Sequence, residues 1–139
     1  MGKSTENKII DAMFDHDAFS QWMGMERVDE GPGFCTLKMT VRKEMLNGFY
    51  IAHGGISYAL ADSAFAFASN SRGQHAVSIE TSISHLKSIK EGDVLLAKAV
   101  EDHFNPKIAQ YTVRIWRQEE ELVAIFKGTV YRKSKSWEI

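Results

Sequence analysis

One cysteine, two prolines and no uncharged apolar run long enough to span a bilayer are the scarcities that narrow this 139-residue chain. With Cys35 alone no internal disulfide can form, so secretion gets no support. In Phe34-Cys35-Thr36-Leu37-Lys38-Met39-Thr40-Val41 the residues alternate, which places Cys35 with Leu37, Met39 and Val41 on the apolar face of a strand, as a core thiol and not a nucleophile. The 17 basic and 18 acidic residues interleave to a net charge of −1, so no extended field of one sign exists to hold a nucleic-acid backbone or an anionic membrane. The longest apolar run is interrupted by Asp62, and Met1-Gly2-Lys3-Ser4-Thr5-Glu6 lacks a signal-peptide core. The expectation is a soluble, cytoplasmic protein with no nucleic-acid or membrane partner. His16, His75, His85 and His103 are scattered without ligand spacing and no Gly-x-Ser-x-Gly elbow occurs, so neither a metal, a cofactor nor a serine nucleophile is expected.

What is present suits one domain over residues 1–139, with 44% hydrophobic content and no repeat or linker. Ile9, Ile10, Met13, Phe14 and Phe19 recur at helical spacing and predict a short amphipathic helix over about 7–19. A strand through Met23 to Val28, a turn at Gly31-Pro32-Gly33 and a strand from Phe34 to Arg42 follow, then an irregular stretch to Ala52. From Gly54 to Ser71 the chain is rich in Ala, free of Pro and apolar on nearly every side, which describes a helix wrapped by other structure. After a glycine stop at Arg72-Gly73 only strands remain: His75 to about Ile89, Asp93 to Phe104, Lys107 to Arg117 and Leu122 to Lys133, with 134–139 as a loose tail. An α+β fold, an antiparallel sheet wrapped around one long central helix, satisfies this order. A parallel sheet would need helices between the later strands.

Two features of the long helix carry chemistry. Asp62 is its one charged residue, and an unpaired carboxylate in an apolar setting costs several kcal/mol or has its pKa raised, so it is either paired or employed. Gly54 and Gly55 sit where the helix begins, and the first-turn N–H groups there lack intrahelical partners, which makes a point for binding an anion or oxyanion. Ser57 and Ser63 read as helix-packing hydroxyls, and Phe65 and Phe67 as core. Arg72, Lys87, Lys90, Lys107 and Arg132 are the basic residues placed to meet phosphate groups.

The constellation Asn47-x5-His53-Gly54-Gly55-x6-Asp62 resembles that of the hotdog-fold thioesterases, in particular the group typified by the phenylacetate-degradation thioesterase. The similarity runs from about Asn47 to Lys133 and is densest over Asn47–Gly55 and Leu60–Ala66. His85-Leu86-Lys87-Ser88 before Glu91-Gly92-Asp93 is similar to the group's next strand and turn, and Ala124-Ile125-Phe126-Lys127-Gly128 to its closing strand. Ser88 stands where the group often has proline. The resemblance implies a hotdog fold and hydrolysis of acyl-coenzyme A thioesters, with a medium-sized acyl group, aromatic ones of the phenylacetyl type included. By position, the Gly54 or Gly55 N–H would polarise the carbonyl and Asp62 would attack it or activate a water. His53 and Asn47 would hold the loop and orient the reacting groups, and Ser78 falls where some members carry a water-positioning hydroxyl.

A thioester is already activated, so an oxyanion site and one base or nucleophile are machinery enough. Eight residues of helix separate Gly54 from Asp62, about 12 Å of rise, too far for one carbonyl to touch both. Two copies of the helix lying antiparallel across a two-fold axis would bring the start of one beside Asp62 of the other. The resemblance implies the same: a homodimer as the minimal active unit, assembled into a homotetramer. Two other readings stand beside this one: a non-catalytic acyl-coenzyme A-binding protein of the same fold, and a hotdog hydratase or dehydratase, whose Asp-x-Asn-Pro-x-x-x-His pattern is missing here.

Overall fold

Alternation, not hydrophobicity alone, sets the strands: along Phe34–Thr40 every second side chain, Cys35, Leu37 and Met39, is buried. In the computed structural model, which describes residues 2–139, the elements follow in the order α1 (Thr5–Asp15), α2 (Ala18–Trp22), β1 (Glu26–Gly31), β2 (Phe34–Thr40), a short 3-10 turn (Lys43–Met45), α3 (Gly54–Asn70), β3 (Gln74–His85), β4 (Val94–Phe104), β5 (Ile108–Arg117) and β6 (Glu121–Ser136). The strands form one antiparallel sheet in the order β1-β2-β4-β5-β6-β3. Chain connectivity sends β3 to the far edge, beside β6, so α3 is carried across the sheet and packs on β2, β3, β4, β5 and β6. This is the expected sheet wrapped around one helix.

Helix and sheet meet closely at one place. Phe65 lies edge-on to Tyr111 and tilted against Phe126, with ring centroids 5.8 and 5.5 Å apart, and its ring tip covers Gly128 on β6. A Cβ at Gly128 would lie 2.6 Å from Phe65 Cζ, so the glycine is what admits the ring. Cys35 lies in the same core, fully buried, and loss of water pushes its thiol up to about 12, so it stays protonated as a core group.

Four boundaries differ from expectation, each for a local reason. The helix expected over 7–19 is two helices, because the Asp17 side chain accepts from the Ser20 N–H at 2.9 Å and caps a new start. The first strand begins at Glu26, three residues late, since Met23, Gly24 and Met25 close α2 through hydrogen bonds back to Phe19, Gln21 and Ser20. β3 stops at His85, not Ile89: Leu86 and Lys87 both donate to the Val123 carbonyl, and the Arg117 guanidinium then holds the Ser88 carbonyl at 2.6 Å. Residues 134–139 are not a loose tail. β6 runs to Ser136, and Trp137 stacks on His75 at 4.2 Å while its indole N–H donates to Asn70 Oδ1 at 2.9 Å.

Replacing Gly128 by Ala should therefore cost about 1–3 kcal/mol, as forced overpacking does. Denaturant midpoints check it: the loss should shrink when Phe65→Leu is added, and equal losses in the two backgrounds would mean that the ring does not need the glycine.

Candidate active site

The start of α3 is built by its own cap. His53 Nδ1 accepts from the Gly55 N–H at 2.8 Å, and the His53 carbonyl accepts from Ile56 N–H at 3.0 Å. The approach to the cap is fixed by Asn47, whose Oδ1 accepts from the Phe49 N–H at 2.9 Å while its own N–H donates to the Ile51 carbonyl at 2.8 Å. This turn forces Tyr50 to φ +61° and leaves Phe49 and Tyr50 each 83% exposed. The His53 N–H closes the loop onto the Met45 carbonyl at 2.8 Å. Of the two glycine donors, Gly55 is consumed by the cap. Among the described residues the Gly54 N–H has no partner, and it sits at the positive end of the helix dipole. The open donor is Gly54 alone.

Two turns on, Asp62 is half-buried and its carboxylate has no hydrogen-bond or ion-pair partner among the described residues. Burial, and secondarily the charge of Asp17, raise its pKa above the usual aspartate value. Asp17 is held there by Ser20, whose hydroxyl donates to it at 2.7 Å and also meets the Ser63 hydroxyl at 2.8 Å across the interface between α2 and α3. Ser63 is thus a packing hydroxyl. The carboxylate opens onto a cleft of about 740 Å³ whose walls include Met13, His16, Phe19, Phe67 and Trp137.

The Gly54 N–H does not share that cleft. Gly54 opens onto a separate one of about 340 Å³, with Asn47, His53, Ser57, His85 and Lys87 in its lining. The remaining sequence candidates divide. Lys87 reaches this second cleft and is exposed, with its ammonium on Glu121 at 2.6 Å; Lys90 is exposed and has no side-chain partner among the described residues. Arg72 is not free: its guanidinium grips Glu101 through Nε at 3.0 Å and covers the Phe104 ring. Arg132 is buried, its guanidinium also over that ring; it donates to the Asn105 carbonyl at 3.1 Å, and its Nε has no partner among the described residues. Ser78 lies exposed on β3 and lines neither cleft. His85, which has no ligand spacing in the sequence, is brought against Gly54 by the end of β3, far along the chain from Asp62, the last residue the motif names. Only the register of β3 on β6, His85 opposite Ala124, puts it there.

A model of the thioesterase superfamily matches residues 49–124. The chain is 37% identical over 121 residues to the acyl-coenzyme A thioesterase PaaI of Escherichia coli, covering 87% of this chain and 86% of the relative. The solved structure of the E. coli PaaI protein from the phenylacetic acid degradation operon superimposes with a TM-score of 0.92 at 34% identity, over 95% of this chain and 96% of that one. A hypothetical thioesterase of Streptococcus pneumoniae, solved with coenzyme A, superimposes with a TM-score of 0.84 at 27% identity, over 91% and 98%.

The raised pKa of Asp62 makes a signed prediction. A proton bound more tightly by the folded than the unfolded chain favours folding below the unfolded value, and that advantage disappears as pH rises through the raised folded value. Asp62→Asn should therefore match the parent in stability at acid pH and become the more stable of the two as pH climbs past Asp62's titration. Melting curves from pH 3 to 8 check this; a variant that loses stability toward neutral pH would mean that the carboxylate is a structural hydrogen-bond acceptor.

Proposed function

The chain belongs to the thioesterase superfamily, and we propose that it hydrolyses acyl-coenzyme A thioesters to the free acid and coenzyme A. The observation that carries this reading is the pair of unpartnered groups on α3, a free N–H at its start and a free carboxylate two turns on. The Gly54 N–H binds the carbonyl oxygen and strengthens as that oxygen becomes anionic, and Asp62 attacks the carbonyl carbon or takes the proton of a water that does. His53 and Asn47 act through the loop they fix, which aims the Gly54 N–H outward. Lys87 and Lys90 are the exposed cations we assign to coenzyme A phosphates, and binding of coenzyme A itself is in keeping with the relative solved with that molecule. Arg72 and Arg132 line neither cleft, and Arg72 is held by Glu101 through two hydrogen bonds, which makes them the weaker candidates for that role.

Because the free N–H and the carboxylate open onto different clefts of one chain, both act on one carbonyl only if two chains contribute. The open edge of β3, free for two-fold pairing, supports this. β3 is a 12-residue edge strand whose outer side has no neighbouring strand among the described residues, and Val77 and Ile79 on it are 42% and 58% exposed. Pairing there would run two copies of α3 antiparallel and bring Ser78, on β3, toward the shared site. The homodimer is the minimal active unit, and two dimers assemble into a homotetramer. The apolar, aromatic-walled cleft beside Asp62 suits a phenylacetyl-type acyl group, in keeping with the likeness to PaaI.

Release of free thiol from phenylacetyl, hydroxyphenylacetyl, benzoyl and straight-chain coenzyme A esters tests the reading, with fastest turnover expected for the phenylacetyl pair. Asp62→Asn should lower kcat by at least about 10²-fold with little change in KM, the range for a positioned catalytic group. Tight binding without turnover by the parent would instead make the protein a sensor.

A further inference from the structure

Gly54 has a neighbour that helix geometry does not account for. A Cβ built on it would lie 3.2 Å from His85 Nε2, so the imidazole is seated against the very residue whose N–H is free. Ser57, buried one turn into α3, joins the two: its hydroxyl donates to the Gly54 carbonyl at 3.1 Å and lies 3.4 Å from His85 Nδ1. With the single hydroxyl hydrogen given to the carbonyl, the Ser57 oxygen accepts from Nδ1–H, and Nε2 is the ring position left open to the cleft. The Nδ1–H bond holds the ring in place and leaves Nε2 to face the cleft. The other ionisable groups lining the cleft are His53 and Lys87, and no carboxylate lines it. His85 is exposed, forms no ion pair and sits outside the apolar core, so the fold makes no demand on it.

We propose that His85 is a catalytic residue, the general acid for the departing sulfur of coenzyme A. The proposal rests on the hydrolase reading above. The carbonyl is fixed at the Gly54 N–H and the acyl group enters the apolar cleft beside the partner subunit's Asp62. The sulfur and its arm therefore lie in the other cleft, where His85 and Lys87 share the wall with Gly54. When the tetrahedral adduct collapses, the carbon–sulfur bond breaks with its electron pair on sulfur, and sulfur takes the proton from Nε2 of the imidazolium. The proton that Asp62 removed from water returns to solvent, and solvent reprotonates the ring, so one water is consumed and one acid and one thiol are formed.

The distinguishing experiment varies the leaving thiol. The same acid is presented as its coenzyme A ester and as its ester with 2,2,2-trifluoroethanethiol, a far more acidic thiol that departs without help. His85→Gln should lower kcat on the coenzyme A ester by about 10²-fold, within the range for general acids, with KM changed less than about threefold. On the trifluoroethyl ester kcat should fall less than about threefold. Ser57→Ala, which removes the Nδ1 partner, should show the same selectivity at smaller amplitude. Equal losses on both esters, a loss confined to KM, or full activity of His85→Gln would each overturn the assignment. Absence of turnover by the parent on every thioester would refute the hydrolase reading itself, a result separable from any behaviour of the variant.

Discussion

A helix apolar on nearly every side cannot lie on a surface, and most of this fold is what it takes to cover α3. Leu60, Ala61, Ala64, Phe65, Phe67 and Ala68 are each at most 1% exposed, and each large side chain so buried contributes roughly 1.5–3 kcal/mol. One helix of 17 residues needs more wall than a flat sheet gives, so six strands curl around it and α1 closes part of the open side through Phe14 on Phe67. The close seat of Phe65 on Gly128 sets how deep the helix sinks. That depth in turn fixes where its two polar exceptions emerge.

Those exceptions work against stability. Asp62 is half-buried without a partner, and the nearby charge of Asp17 makes its ionised form less favourable still. The Gly54 N–H is left open although the next donor is capped by His53. A fold optimised for stability alone would satisfy both, and groups left unsatisfied in this way are where an enzyme keeps its capacity to bind a developing charge. The two open onto separate clefts, Gly54 against the end of β3 and Asp62 beneath α1 and α2, which is why the proposed site calls on a second copy of the chain.

Much of this is legible from residues alone. The wrapped helix, its glycine start and its lone acid follow from composition within Gly54–Ser71, and the strands after it from period-two alternation. What sequence could not supply depends on contacts distant along the chain. Trp137 follows a run of Lys, Ser and Arg with no apolar face, so its seat on His75 and Asn70 is invisible until β6 reaches the edge strand. Arg72 looks like any surface cation until Glu101 comes across from β4. His85 acquires significance only from register, and the capping of Gly55 by His53, which leaves Gly54 as the open donor, is a matter of one side-chain rotamer.

The two-chain site is tested most directly by mixing two dead proteins. Asp62→Ala removes the attacking group and His53→Ala the cap that shapes the helix start, so each homodimer should be nearly inactive. After subunit exchange, verified with differently tagged chains, half of the dimers are mixed, and each holds one intact site beside one doubly defective site. Activity should then return to about one quarter of the parent's. Verified mixed dimers with no recovered turnover would contradict a site shared across the two-fold axis and require Asp62 to serve the start of its own helix.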